Sequence, residues 1–147
     1  MKKLVLAMLF VTSLWSCKSQ YEMMLNSNDA DAKYEAAFEY FNNRKYTKAA
    51  SLFESLSMLT DGTERDDTVK FYWGLSNYKA KDYYTADTNF EKFIETFPRS
   101  PFASEARYLR LDCLYLQTLR YELDQSPTYK AMNEISEYIL EYPSSTH

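Results

Sequence analysis

The chain has 147 residues and a formal net charge of −4, with 14 Tyr and 9 Phe against 2 Gly and 4 Pro. That length supports one domain with a modest core. So few turn residues argue against a sheet protein and for helices with aromatic packing. Lys2-Lys3 is the basic start of the chain and no basic run comes after it, which argues against nucleic acid as a partner and against a polybasic membrane patch.

After Met1-Lys2-Lys3, Leu4 to Trp15 is apolar except for Thr12 and Ser13. The run is too short to span a bilayer, which takes about 20 residues, and it suits the core of an export signal. It ends in Leu14-Trp15-Ser16-Cys17. This resembles the bacterial lipobox, although a residue smaller than Trp15 is commoner at its place. A thiol is the acylation point in that chemistry. Residues 1–16 are therefore expected to be a lipoprotein signal peptide and Cys17 the lipidated N-terminus. Several acyl chains on one residue hold a protein to a bilayer stably, which one chain does only marginally. Residues 17–29 read as a tether, with Met23-Met24-Leu25 covering the outer end of the first repeat.

Ser27, Asn28 and Asp29 offer helix N-caps. A first helix is predicted from about Asp31 to Asn43, with Tyr34, Ala37, Phe38 and Phe41 on one face. A turn at Arg44-Lys45 leads to a second helix from about Thr47 to Leu59. Gly62 in the polar loop 60–67 reads as that helix's cap residue, and the loop acids lack the ligand spacing of a calcium loop. A third helix runs from about Thr68 to Ala80. Gly74 inside it signals a close helix–helix approach, since mid-helix Gly costs about 1 kcal/mol. The fourth helix comes after Lys81-Asp82, with Ala86, Phe90, Phe93, Ile94 and Phe97 at helical spacing and Pro98 as the stop. The fifth is predicted from Ala103 to about Tyr121 and the sixth from about Thr128 to Glu141. Cys113 reads as a small core residue.

Tyr46-Thr47-Lys48-Ala49 with Phe53, Tyr83-Tyr84-Thr85-Ala86 with Phe90, and Tyr129-Lys130-Ala131 with Ile135 are one pattern written three times. With Ala37 and Gly74 as small first-helix residues and Pro98 and Pro143 as stops, the unit resembles the tetratricopeptide repeat (TPR). The first repeat departs from it with Asp61 in place of the closing Pro. The expected fold is an all-α TPR superhelix of about three helical hairpins spanning residues 30–147, with repeats at about 30–66, 67–102 and 103–147. Ile135 and Ile139 have no later partner, so the array is expected to continue beyond residue 147.

A lipobox joined directly to such repeats, with Lys33-Tyr34, Gly62-Thr63 and Phe97-Pro98-Arg99-Ser100-Pro101 before Glu105-Ala106, is similar to the BamD (YfiO) family. These are outer-membrane lipoproteins of the β-barrel assembly machinery. The resemblance implies a scaffold anchored at the outer membrane and facing the periplasm. Implied partners are a BamA-like barrel protein, other subunits of the machinery and unfolded outer-membrane clients. An extended, aromatic-bearing peptide would lie in the concave groove lined by the first helices. By repeat phase the candidate groove residues are Tyr34, Phe38, Phe41, Phe71, Leu75, Tyr78, Asp112 and Tyr115.

Rival readings are another TPR lipoprotein or periplasmic adaptor, Tol–Pal or peptidoglycan related, or a SusD-like glycan-binding lipoprotein. SusD-like chains carry large insertions that this stretch lacks. His147 is the sole histidine, which removes His-based triads and His-rich zinc sites. Two glycines cannot build a phosphate-cradling loop. The expectation is a binding protein with no cofactor, no metal and no enzymatic activity.

Overall fold

The computed structural model describes residues 20–118, 120 and 122–144. The expected signal peptide and Cys17 lie outside the described residues. Six helices run in order: α1 (Ala30–Asn42), α2 (Tyr46–Ser57), α3 (Asp66–Lys79), α4 (Tyr83–Thr96), α5 (Ala103–Leu116) and α6 (Ser126–Glu141). Residues 20–25 are also helical, and the described residues contain no strand. Each helix packs on its neighbours in the chain, giving three stacked hairpins in the TPR manner. No helix among the described residues is long and apolar enough to cross a membrane.

The first two hairpins turn in the same way. Asp29 caps α1, its carboxylate accepting from the Ala32 amide at 3.0 Å. At the far end Arg44 takes φ 59°, and the Lys45 amide donates to the Tyr40 carbonyl at 2.9 Å. At the end of α3, Lys81 takes φ 67° and the Asp82 amide donates to the Asn77 carbonyl at 3.0 Å. Both are six-to-one closures around a left-handed residue, here filled without glycine. Gly62 is not the cap of α2, which ends at Ser57 with Met58 as its C-cap; its φ of 72° serves a turn inside the loop. The loop acids are partly consumed there. Lys70 Nζ lies 2.8 Å from Asp61 and 2.9 Å from Asp66.

The core is two apolar clusters sharing α3 as a wall. Ala37, Ala49, Leu52, Phe53, Leu56 and Val69 form the first. Phe71, Ala86, Phe90, Phe93, Ala106, Leu109 and Cys113 form the second. Fully burying one Phe contributes about 1.5–3 kcal/mol, so Phe53, Phe90 and Phe93 anchor the stack. A Cβ at Gly74 would stand 2.9 Å from the Phe90 ring, so the glycine is there to let α4 come close. In α6 only Ala131 is buried.

One stretch differs from expectation, and in another Met24 and Leu25 cover the first repeat as expected, within a longer helical segment. α5 stops at Leu116, five residues short of Tyr121, so that α3 and α5 have the same length of 14 residues. The Gln117 side chain ends it, donating to the carbonyls of Cys113 (3.1 Å) and Tyr83 (3.3 Å). Upstream, residues 20–25 are docked on the first hairpin. Tyr21, Met24 and Leu25 pack on the first cluster, and Tyr21 meets Tyr40 edge-on at 5.4 Å. Lys33, 2% exposed, fixes the segment: its Nζ donates to the Leu25 carbonyl (2.9 Å) and to Ser55 Oγ (2.6 Å). Burial lowers the Lys33 pKa.

A charged donor of this kind contributes about 1.5–3 kcal/mol. Lys33→Met is therefore expected to raise amide exchange at Asn26 and Ser27, which bond back to Glu22 and Met24, by about 10- to 100-fold. Exchange in α4 serves as the control. Unchanged protection at Asn26 would refute the tie.

Candidate functional site

The first-helix residues recur at a spacing of 37. Tyr34, Phe71 and Tyr108 are equivalent, as are Phe38, Leu75 and Asp112, and Phe41, Tyr78 and Tyr115. In the first two hairpins these positions are covered by the next first helix. Tyr72 of α3 packs on Phe38 at 4.7 Å and Phe41 at 5.2 Å. Phe102, at the head of α5, stacks on Phe71 at 4.6 Å with the rings 11° apart. Phe71 is 2% exposed and belongs to the core, so it offers a partner no surface. Tyr34, Phe38, Phe41, Leu75 and Tyr78 are partly buried, and Arg65 lies over the Tyr34 ring at 5.0 Å.

The third set is open. Asp112 and Tyr115 line a cleft of about 350 Å³ between α5 and α6, together with Tyr108 and Leu111. Its opposite wall is Ile135, Tyr138, Ile139 and Tyr142. These are the α6 counterparts of Phe90, Phe93, Ile94 and Phe97 in α4. Tyr115 is 62% exposed and Ile139 60%. The structure thus brings Asp112 and Tyr115 together in one cleft and leaves the other candidates in the interfaces between hairpins.

Asp112 is the one ionisable carboxylate of that lining. Tyr78 Oη donates to it at 2.6 Å, which ties α3 to α5 and raises the Tyr78 pKa, since ionising the phenol would break the bond beside a carboxylate. Directly behind it Cys113 is fully buried, and burial pushes its thiol up to about 12. Its thiolate is not available at neutral pH. Cys113 is expected to resist an aromatic disulfide reagent at pH 8 in the native protein and to react fully in denaturant; fast native labelling would contradict the burial.

The pairing of Leu111 with Ile135 escaped the sequence reading. The pairs Ala37 with Phe53 and Gly74 with Phe90 correspond by repeat position to Leu111 with Ile135, which line opposite walls of the cleft. The volumes trade places, so a search for a small residue misses it. Also missed was Arg110, whose side chain is 13% exposed. It bonds Glu134 at 2.8 and 3.1 Å and Glu91 at 2.8 Å, and its Nε lies 3.2 Å from Asp87 without hydrogen-bond alignment. Its one sequence signal is a cation between Leu109 and Leu111.

A family model described as an outer membrane lipoprotein, YfiO, matches residues 26–147. The chain belongs to this family. Among curated proteins, the outer membrane protein assembly factor BamD of Caulobacter vibrioides is 19% identical over 146 residues. The match covers 97% of this chain and 48% of that relative, so the chain spans about half the relative's length. Outer membrane lipoprotein is thus the family's description, and it fits a helical-repeat body that has no membrane-crossing helix among the described residues.

Proposed function

We propose that this chain is a lipid-anchored scaffold of a β-barrel assembly machinery, helping to assemble and insert β-barrel proteins into the outer membrane. The observation that carries the reading is the family match over residues 26–147, joined to an array of helical hairpins. Cys17 carries the acyl chains and the repeats face the periplasm. A BamA-like barrel protein, the other subunits and unfolded clients are its partners.

A partner segment docks in the groove lined by the first helices α1, α3 and α5, where tyrosine and phenylalanine supply large contact area. Binding needs no bond making, and the protein acts by holding partners rather than by catalysis.

The test is a pull-down from membrane extract with the tagged chain beside its Cys17→Ala variant. Recovery of a large β-barrel assembly protein supports the role, and loss of the variant from membranes supports the anchor. Recovery of peptidoglycan enzymes or glycan transporters instead would sink the assembly role and leave the fold untouched.

A further inference from the structure

Over the first two hairpins the two edges of the array carry opposite charge. At one edge lie the hairpin turns 43–48 and 79–82, which hold Arg44, Lys45, Lys48, Lys79 and Lys81 against the single acid Asp82. All five cations are exposed and none forms an ion pair among the described residues. At the other edge lies the loop 60–67, which holds Asp61, Glu64, Asp66 and Asp67 against Arg65 and against Lys70 of α3. No basic run is visible in the sequence because the turns that gather these cations are separated by whole helices.

The turn edge is also where the chain leaves toward Cys17. Gln20 shares a cleft with Tyr40, Asn43 and Lys45. Lys48 stands over the Tyr21 ring at 4.9 Å and Lys45 over Tyr40 at 5.5 Å. Two residues stand between Cys17 and Gln20, a reach of at most about 11 Å of extended chain. Because residues 20–25 are docked through Lys33, that short reach sets an orientation. Tyrosine rings flanked by lysines suit the headgroup level, where the ring lies in the apolar boundary and the cation among phosphates.

We propose that the turn edge of the array, centred on Tyr21, Arg44, Lys45 and Lys48, lies against an anionic lipid surface. The helices then stand steeply on the bilayer, with the acidic loop edge directed away from it. This rests on the reading of Cys17 as the anchor. Each cation near such a surface is worth about fivefold in the docked-to-free ratio.

The acylated chain would be reconstituted in vesicles of phosphatidylcholine alone or with one third phosphatidylglycerol, both carrying a headgroup quencher. One fluorophore is placed at Thr47→Cys on the turn edge or Glu64→Cys on the loop edge; buried Cys113 stays unlabelled. Position 47 is expected to quench more than position 64, and more with phosphatidylglycerol. Arg44→Asn with Lys45→Gln and Lys48→Gln should abolish that gain, Asn being chosen because it tolerates the left-handed turn. Equal quenching at the two positions, no response to anionic lipid, or no effect of the triple variant overturns the proposal. If mass analysis finds the chain unacylated, the anchor reading fails. The edge is then tested by cosedimentation of that same chain with the anionic vesicles, where binding that the triple variant loses upholds it and no binding overturns it.

Discussion

Arg110→Ala is expected to detach α6. Only Ala131 of that helix is buried, so apolar burial contributes little to holding it. Arg110 holds it instead, reaching Glu134 of α6 and Asp87 and Glu91 of α4 from α5, while Lys130 of α6 stands 3.3 Å from Asp87. The Asp87 side chain is 10% exposed and would be left with Lys130 alone. Removing one partner of a buried ion pair costs about 3–5 kcal/mol. A loss near the lower figure is expected, because Glu91 and Glu134 are part-exposed and solvent takes up their charge. The check is amide exchange: protection should fall throughout α6 and persist in α2 and α4.

The same cluster makes the helix acid-labile. The Arg110 hydrogen bond holds Glu134 below the usual Glu range. A carboxyl depressed on folding adds stability above its unfolded pKa of about 4.3. That contribution disappears as pH falls through the lower, folded value. α6 should therefore open in acid before the rest of the chain, and Glu134→Gln should flatten this dependence. A single cooperative acid transition, identical with and without Glu134→Gln, would contradict it.

Gly74→Leu is expected to be the most damaging single change in the middle hairpin. Even one Cβ there meets three atoms of the Phe90 ring between 2.9 and 3.3 Å, and Phe90 is fully buried. Overpacking of this kind costs about 1–3 kcal/mol, and more when the backbone must move. The third hairpin supplies the remedy, since its equivalent pair is Leu111 with Ile135. Gly74→Leu combined with Phe90→Ile should recover much of the loss, although Phe90→Ile alone opens a cavity and is destabilising by itself. A coupling of about 0.5–3 kcal/mol with stabilising sign is expected from chemical denaturation. Additive losses would show that the two sites do not compensate.

Much of the fold was legible because it is written in local chemistry. Asp29 as a cap, Pro98 as a stop and Gly74 as a contact point all act on immediate neighbours, and the structure has each in that role. Gly62 was legible as a special backbone position but not as which one. The end of α5 was not legible, because Gln117 stops it by reaching to Tyr83 in another helix. The docking of residues 20–25 was legible in part: Met23-Met24-Leu25 signalled a cover for the first repeat, but not the hold of Lys33 and Ser55 on the Leu25 carbonyl. Of the groove candidates, phase groups equivalent positions but does not say which of them their neighbours cover. Phe71 and Tyr115 are both aromatic first-helix positions of the pattern and lie at opposite extremes of exposure.

The way α6 is held gives the array a direction of failure. Its first hairpins are closed by aromatic and aliphatic contact, which added salt strengthens or leaves alone, and the α5–α6 contact by charge, which salt screens most where the partners are exposed. In a stack where each unit leans only on its neighbours, opening begins at the weakest contact and spreads from it. The α5–α6 contact should therefore loosen first as ionic strength rises, while the first hairpin stays closed to the last.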